Sequence, residues 1–394
     1  MAGVAIDAAQ RPAPTQPPPK TPPKRPYLSA TPRPLPSIFS NTIMASHTSK
    51  KPRIAVVGGG HLGRIHAKLL ASNQSCQLIA VAEPTPQSAA WIQDNLGIDT
   101  VSDYRSLLGQ IDGAIIAAPT FLHHEIGTWL LQNNIHVFME KPIASTVEQA
   151  TEMVRMAQAH RCVLQVGHVE RFNPAWKAVK DVTGRDEVRY IEAVREGSYT
   201  GRSTDIGIVM DLMIHDIDLI LSLVQDPIEQ VNAFGWSVLS QHEDFAVAQI
   251  RFKNGTLAQL KASRVSEAAN RAMTLYCDEA IKKLDFAASQ VCVLEPLEDV
   301  ASGERQADSL DALTRSQVKD QLFTNWLRKT EIQPPPTNAI VDEHNEFLNA
   351  LTAGTPVTVS GQDATAALQV ACAIVQSIQA GQPQRAIVPG KFAA

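Results

Sequence analysis

The sequence predicts an α/β protein in two parts: a doubly wound parallel sheet, then an α+β domain with an open, mostly antiparallel sheet. From residue 51 to 166, short β-branched runs alternate with longer amphipathic segments, which is the pattern of successive βαβ units. After residue 166 the apolar runs are longer and follow one another directly, as antiparallel strands do. We therefore expect one domain over 51–166 and a second over 167–394, whose C-terminal helices brace both.

Each expected element follows from its own hydrophobic pattern. The first domain is expected to hold strands at 54–57, 78–82, 113–119, 135–139 and 163–166, and helices starting near 62 and spanning 87–96, 125–133 and 146–160. The second is expected to hold strands at 188–195, 228–240, 245–252, 256–264, 272–277, 282–286 and 291–294, and helices at 208–223, 343–351 and 364–379. The dipeptide Asn254-Gly255 predicts a type I′ hairpin turn. The polar stretch 302–333 has no clear pattern.

Composition limits the classes of function. A net charge of −5 gives no general attraction to nucleic acid or to an anionic membrane. No uninterrupted apolar run reaches the ~18 residues of a membrane span. The five cysteines show no CxxC spacing, so we expect reduced thiols in a cytoplasmic protein and no metal site.

The first 50 residues differ in composition from the rest of the chain. They hold 11 of the 25 prolines and a single acidic residue, so they predict a disordered, Pro-rich extension. Their basic, acid-poor composition loosely resembles a transit peptide, but no amphipathic helix supports that interpretation.

A glycine motif directly follows the first expected strand and directly precedes the first expected helix. Such a turn lets backbone N–H groups at a helix N-terminus face a pyrophosphate, so it predicts a dinucleotide cofactor. The cofactor-binding residues expected in the turn are Gly58, Gly60, His61, Leu62 and Gly63. Glu83 ends the next expected strand, 20 positions after Gly63. A carboxylate there binds a ribose 2′-hydroxyl and repels a 2′-phosphate, which favours NAD over NADP.

Two further segments carry candidate catalytic groups. Lys141 follows the expected strand 135–139, and the carboxyl edge of an open parallel sheet is where ligands bind. A lysine there can stabilise a developing alkoxide, although a surface lysine is the simpler alternative. On the expected helix 208–223, the spacing of Asp211, His215 and Asp218 places them on one face, and a carboxylate beside an imidazole suits acid–base chemistry. A buried structural histidine is the alternative, and a metal site lacks a further ligand.

The junction between the two expected domains is dense in polar groups. His168, Glu170, Arg171 and Asn173 fall within six residues, and domain junctions are favoured positions for ligand clefts. Arg171 can bind an anionic or polyhydroxyl substrate there. A solvated interdomain turn is the alternative.

Five segments in order resemble the glucose-fructose oxidoreductase, inositol dehydrogenase and MocA family. They are GGGHLGRIHA, AAPTFLHHE, MEKPIA, GHVERFNPA and VMDLMIHDIDL, and the resemblance runs from about residue 53 to 377. It implies a Rossmann domain and a C-terminal domain whose open sheet often forms the oligomer interface, hence a homodimer or homotetramer. It also implies hydride transfer between a nicotinamide and a sugar or cyclitol carbon.

The same resemblance assigns roles to residues. Lys141 and His215 would lie near the reacting hydroxyl, with Asp211 steadying His215 and with Lys141 as the rival general base. The cofactor would also be lined by Pro119, Thr120, His123 and Glu140. The substrate side would hold His168, Arg171 and Asn173.

Residues 167–174 are most similar to the branch of the family that oxidises the 3-hydroxyl of UDP-amino sugars. That similarity implies a nucleotide-sugar substrate and a functional partner, a PLP aminotransferase that consumes the 3-keto product in lipid A-type biosynthesis. The alternatives are an inositol, glucose or other sugar dehydrogenase, and a non-catalytic NAD-binding sugar sensor.

Overall fold

Two sheets carry the fold in the computed structural model, which describes residues 51–183, 187–201 and 206–381. The predicted Pro-rich extension, residues 1–50, lies outside the described residues.

The first sheet is parallel throughout, with strand order β3-β2-β1-β4-β5-β6. Its strands are β1 (Arg53–Val57), β2 (Gln77–Ala82), β3 (Thr100–Val101), β4 (Gly113–Ile116), β5 (His136–Met139) and β6 (Leu164–Val166). Its helices are α1 (His61–Ser72), α2 (Pro86–Leu96), α3 (Thr120–Gln132) and α4 (Val147–His160). The doubly wound prediction is confirmed, and the order reverses between β1 and β4, where ligands of such sheets bind.

The second sheet has strand order β14-β13-β12-β11-β7-β10-β9-β8 and is antiparallel except between β7 and β10. Its strands are β7 (Val188–Glu196), β8 (Ile228–Trp236), β9 (Phe245–Phe252), β10 (Leu257–Ser263), β11 (Asn270–Cys277), β12 (Ile281–Asp285), β13 (Gln290–Pro296) and β14 (Leu327–Ile332). The accompanying helices are α5 (Pro174–Thr183), α6 (Ile214–Leu223), α7 (Glu298–Ala301), α8 (Ala312–Gln321), α9 (Ala339–Ala353) and α10 (Gly361–Gly381). The prediction of an open, mostly antiparallel sheet is confirmed.

Alternating burial gives the second sheet an inner and an outer face. Along β9 the residues at even positions from Ala246 to Phe252 are buried, and those between them are not. Apolar side chains from α5, α6 and α10 join these inner residues in one hydrophobic core. Among the described residues, no helix covers the outer face in the same way.

The following details are among those that differ from the predictions. β4 ends at Ile116 and α3 begins at Thr120, because Pro119 occupies the N-cap position of that helix. β14 pairs with β13 at the sheet edge although its sequence is polar. The β9–β10 turn is not type I′, because a type I′ turn needs two left-handed residues and only Gly255 is left-handed here (φ +92°). The N–H of Phe252 donates a hydrogen bond to the carbonyl oxygen of Thr256, so three residues separate the paired ends. That pattern matches a longer loop closed by a glycine bulge.

The two C-terminal helices pack against the first sheet, and α10 also packs against the second. Phe347 and Leu348 of α9 pack in a core with residues of β1, β2 and β5. α10 places Ala364 and Leu368 in the core of the first sheet, and Ile374 among others in that of the second. This helix is long and apolar enough to cross a membrane by composition, which the sequence analysis missed, but its place is in the protein core.

Candidate active site

The glycine turn between β1 and α1 has the close contacts that its sequence predicts. Gly58 is left-handed (φ +105°), and a Cβ there would lie 2.7 Å from the backbone of Ala117 in the neighbouring turn. A Cβ on Gly63 would lie 1.8 Å from the carbonyl oxygen of Gly58, so only glycine permits this helix–strand contact. By contrast, a Cβ on Gly60 would meet nothing within 4 Å. The chain therefore leaves open the one position where a pyrophosphate needs access to the backbone.

The first residues of α1 fit the same cofactor. No side chain caps the N-terminus of this helix, so its first N–H groups remain available to an anion. His61 and Leu62 are both exposed beside it. The carboxylate of Glu83, at the end of β2, accepts the N–H of Gly59 at 2.7 Å and that of Thr85 at 2.8 Å. Glu83 thus lies against the glycine turn, where a dinucleotide's ribose is expected.

Two substitutions separate the contacts of this turn. We expect Gly60→Ala to weaken NADH binding at least tenfold with little change in thermal stability, because its methyl group meets the cofactor and not the protein. Gly63→Ala is expected to lower the melting temperature as well, because its methyl group overlaps the backbone of Gly58. NADH fluorescence titration and thermal unfolding measure the two effects. Equal loss of stability in both variants would contradict this account.

A guanidinium that the sequence analysis did not single out supports the turn. Arg64 donates from Nε to the carbonyl oxygen of Gly59 at 2.9 Å and lies 4.0 Å from the ring centroid of Trp91. Its Nη2 also donates to Ser88. These contacts tie α1 to α2 next to Glu83. The available signal was an arginine directly after the third glycine of the motif.

The predicted cofactor residues Pro119, Thr120 and His123 follow β4, which neighbours β1 where the strand order reverses. Pro119 and Thr120 form the start of α3, immediately after β4. His123 is buried, and its two ring nitrogens lie 2.8 Å from the carbonyl oxygens of Ala118 and Pro142. Burial lowers the pKa of His123. Its contacts hold the turns at Ala118 and Pro142 together, and its predicted contact with the cofactor stays a prediction.

Lys141 links the two sheets. Its Nζ donates to the backbone oxygen of Asp211 at 2.7 Å and to the carboxylate of Asp211 at 3.1 Å. Both side chains are largely buried. The structure therefore brings Lys141 and Asp211 together from different domains of the predicted organisation, at the carboxyl edge of β5.

The predicted pairing of Asp211 with His215 is absent from the described contacts, and the local helix geometry explains why. The expected helix 208–223 starts with a π-helical segment, Val209–Met213, before it continues as α6. The pairing was expected from α-helical spacing, and a π turn, which bonds each residue to the fifth along, shifts Asp211 around the helix axis relative to His215. Asp211 turns to Lys141 instead. Such π segments occur frequently at functional sites.

His215 and His168 form the next part of the site. Their rings meet edge to face with centroids 6.1 Å apart. Nδ1 of His215 and both ring nitrogens of His168 are buried and have no hydrogen-bond partner among the described residues. Burial, together with the positive charges of Lys141 and Arg195, holds the pKa of His215 well below its ordinary value. Burial also lowers the pKa of His168, so both rings are neutral near pH 7.

Arg171 and Asn173 have structural roles that the sequence analysis did not predict. Arg171 makes a buried, two-point ion pair with Asp218, at 2.6 and 2.9 Å. Asn173 accepts the N–H of Ala175 at the start of α5, and its amide nitrogen donates to Glu170. These side chains are committed to the protein, so the structure does not support their predicted contact with substrate. The Asn-Pro pair was a recognisable start signal for α5.

A buried charge cluster lies behind the histidines. Arg195 of β7 donates to both carboxylate oxygens of Asp216, at 2.7 and 3.0 Å, and to Glu170 at 2.6 Å. Burial opposes its charge, but the two carboxylates raise its pKa above the ordinary value. The sequence signal was an arginine at an inward position of an alternating strand. We interpret this cluster as the support that fixes α6, and with it His215.

Glu140 lies in a second network of buried side chains, and its predicted place beside the cofactor stays a prediction. It accepts a hydrogen bond from His66 at 2.8 Å, and the other nitrogen of His66 lies 2.7 Å from Nε2 of His344. Burial alone would raise the pKa of Glu140, but His66 and Lys141 hold it below its ordinary value. Burial lowers the pKa of His344 to about 3. These hydrogen bonds connect α1 and α9 to Glu140, the residue before Lys141.

Among residues 51–183, 187–201 and 206–381, no group of three or more His, Cys, Asp or Glu side chains is placed to hold a metal ion.

Comparison with known proteins agrees with these features. Residues 52–168 match the family model of an oxidoreductase family with an NAD-binding Rossmann fold, and residues 184–281 match the GFO/IDH/MocA C-terminal domain. The chain is 30% identical over 331 residues to UDP-N-acetylglucosamine 3-dehydrogenase of Acidithiobacillus ferrooxidans, covering 83% of this chain and 98% of that one. It is 25% identical over 336 residues to inositol 2-dehydrogenase of Rhizobium meliloti, covering 83% and 96%.

A solved structure of UDP-N-acetylglucosamine 3-dehydrogenase from Acidithiobacillus ferrooxidans superposes with a TM-score of 0.73 at 29% identity, covering 84% of this chain and 99% of that one. An NAD cofactor is supported by the two family matches together with the glycine turn and Glu83. The chain belongs to the Gfo/Idh/MocA family and is an NAD-dependent oxidoreductase.

Proposed function

We propose that the protein is a sugar dehydrogenase that oxidises the 3-hydroxyl of a UDP-amino sugar. The observation that carries this proposal is a neutral histidine pair, buried His168 and partly exposed His215, beside a lysine that has one further donor to offer. The similarity to UDP-N-acetylglucosamine 3-dehydrogenase over 98% of that enzyme's length supports the substrate.

Each group at the proposed site has a role that its surroundings support. The glycine turn and Glu83 would hold NAD, which would be the oxidant and would take the hydride of the reacting carbon. His215 accepts the proton of the hydroxyl, since its lowered pKa keeps the imidazole neutral. An ammonium has three donors, and Asp211 takes two of those of Lys141, which leaves one for the substrate oxygen. His168 positions the sugar through its unpartnered nitrogens.

The division of labour between Lys141 and His215 follows from their partners. The two contacts with Asp211 hold Lys141 in place, and its remaining donor can stabilise a developing alkoxide. His215 has no carboxylate beside it among the described residues, and the positive charges around it disfavour a second proton. We therefore assign His215 as the base and Lys141 as the group that holds the oxygen.

The proposal extends to the biological setting. A 3-keto nucleotide sugar is a substrate for amination, so a PLP aminotransferase in the cytoplasm, within a lipid A-type pathway, is the proposed functional partner. The outer face of the second sheet carries Phe234 and Trp236 with 59% and 60% of their surfaces exposed, and we propose that a second copy of the chain covers them. We also propose that the NAD-binding domain spans residues 51–166 and that the second domain starts at residue 167.

The substrate is tested with purified protein and NAD. UDP-N-acetylglucosamine is expected to give NADH, with a rate that rises when a PLP aminotransferase and an amino donor remove the keto product. Parallel reactions with N-acetylglucosamine, glucose and myo-inositol act as the panel. NADH from inositol or glucose alone would replace the UDP-sugar proposal, and NADH from none of them would favour a sugar sensor.

A further inference from the structure

An arginine on β11 lies near the proposed site and is not used by the mechanism. In the antiparallel pairing of β11 with β7, Arg271 is directly opposite Arg195. Side chains that are opposite in such a pair lie on the same face of the sheet. Arg195 is on the inner face, where it contacts Asp216 of α6, so Arg271 is on that face too. Arg271 is exposed, because it is the second residue of β11 and precedes the buried inner positions, which start at Met273.

The charges around His215 show that Arg271 differs from its neighbours. Burial is the main cause of the lowered pKa of His215, and the positive charges of Lys141, Arg195 and Arg271 lower it further. All three cations therefore lie near the imidazole. Lys141 is paired with Asp211, and Arg195 is paired with two carboxylates. The guanidinium of Arg271 has no hydrogen bond or ion pair within the part of the chain that the structure describes, although its backbone pairs with β7 and bonds to Phe286. Among the described residues, the inner face therefore presents the guanidinium of Arg271 near the reacting position without a carboxylate partner.

We infer that Arg271 binds an anionic group of the substrate, namely a phosphate of a nucleotide diphosphate joined to the sugar. This inference rests on the proposed function, because it takes the sugar to lie between Lys141 and His215. A guanidinium matches phosphate oxygens with two parallel donors, and an exposed position suits a group that extends away from the reacting carbon. The cofactor's own pyrophosphate has its place at the glycine turn, on the other sheet. A carboxylate on a sugar acid is the other source of such an anion.

The test measures binding without requiring turnover. UDP is titrated calorimetrically into the NAD-loaded wild type, Arg271→Gln, Arg271→Lys and the control Arg251→Gln. Arg251 is exposed on the outer face of the same sheet, so its variant makes the same change of charge away from the site. We expect Arg271→Gln to weaken UDP binding about 10- to 100-fold, Arg271→Lys to lose less, and Arg251→Gln to match the wild type.

A second set of titrations distinguishes the sources of the anion. UDP affinity that is unchanged in Arg271→Gln, or no UDP binding to the wild type, overturns the inference. Loss of affinity for glucuronate, with UDP unaffected, also overturns the phosphate assignment. The oxidation of UDP-N-acetylglucosamine is measured separately. If Arg271→Gln loses UDP while the wild type oxidises no UDP-sugar, the phosphate subsite stands and the proposed function fails.

Discussion

Replacing His215 with asparagine is expected to lower kcat by about 10²- to 10⁴-fold, which is the usual contribution of a positioned acid–base group. Asparagine keeps a polar side chain of similar size but cannot accept the substrate's proton. NADH affinity is expected to stay near the wild-type value, because His215 lies on α6 and the glycine turn lies on the other sheet. Steady-state kinetics and NADH titration measure both quantities, with His242→Asn, an exposed histidine, as the control.

The pH profile gives an independent reading of the same group. The reaction needs a neutral imidazole, and burial with nearby cations holds the pKa of His215 well below 6.5. We therefore expect kcat/KM to persist as the pH falls through 6.5 and to decline only at lower pH. A decline centred at 6.5, or a His215→Asn variant with wild-type kcat, would contradict the assignment and favour Lys141 as the base.

Replacing Arg195 with methionine is expected to have the largest effect on stability. Arg195 is 4% exposed and is the cation shared by Asp216 and Glu170. Removing it leaves two buried carboxylates without their partner, and breaking a buried pair in this way costs about 3–5 kcal/mol of unfolding free energy. Denaturant unfolding of the NAD-free protein measures the loss.

The matched control lies on the same strand. Arg189 also makes a two-point pair, with Asp278, but both side chains are about half exposed. Water solvates these charges when the pair is broken, so Arg189→Met is expected to change stability little. If the two variants unfolded at the same denaturant concentration, the buried cluster would not be the support of α6 that we infer.

Most helices and strands could be predicted from the sequence, because each depends on the pattern of residues that are close together in the chain. The turn at Gly58, the alternation along β9 and the apolar spacing of α10 each depend on neighbours within one element. β14 was missed because an edge strand needs no apolar pattern to pair its backbone. The type I′ turn was wrong because residue pairs do not fix loop length.

The site was only partly predictable, since its contacts join residues far apart in the chain. The sequence identified Lys141, Asp211 and His215 as polar groups in apolar surroundings. It could not show that Asp211 contacts Lys141, because the two residues are 70 positions apart in the chain. Nor could it show that Arg171 is neutralised by Asp218, 47 positions away.

The final helix of the described chain has a consequence for how the protein is made. α10 supplies side chains to the cores of both sheets, although it is synthesised after every strand. A chain still emerging from the ribosome therefore leaves apolar surface of both halves uncovered until this helix follows. Neither half has its full core without α10, so we expect both halves to complete their folding only once this helix is available.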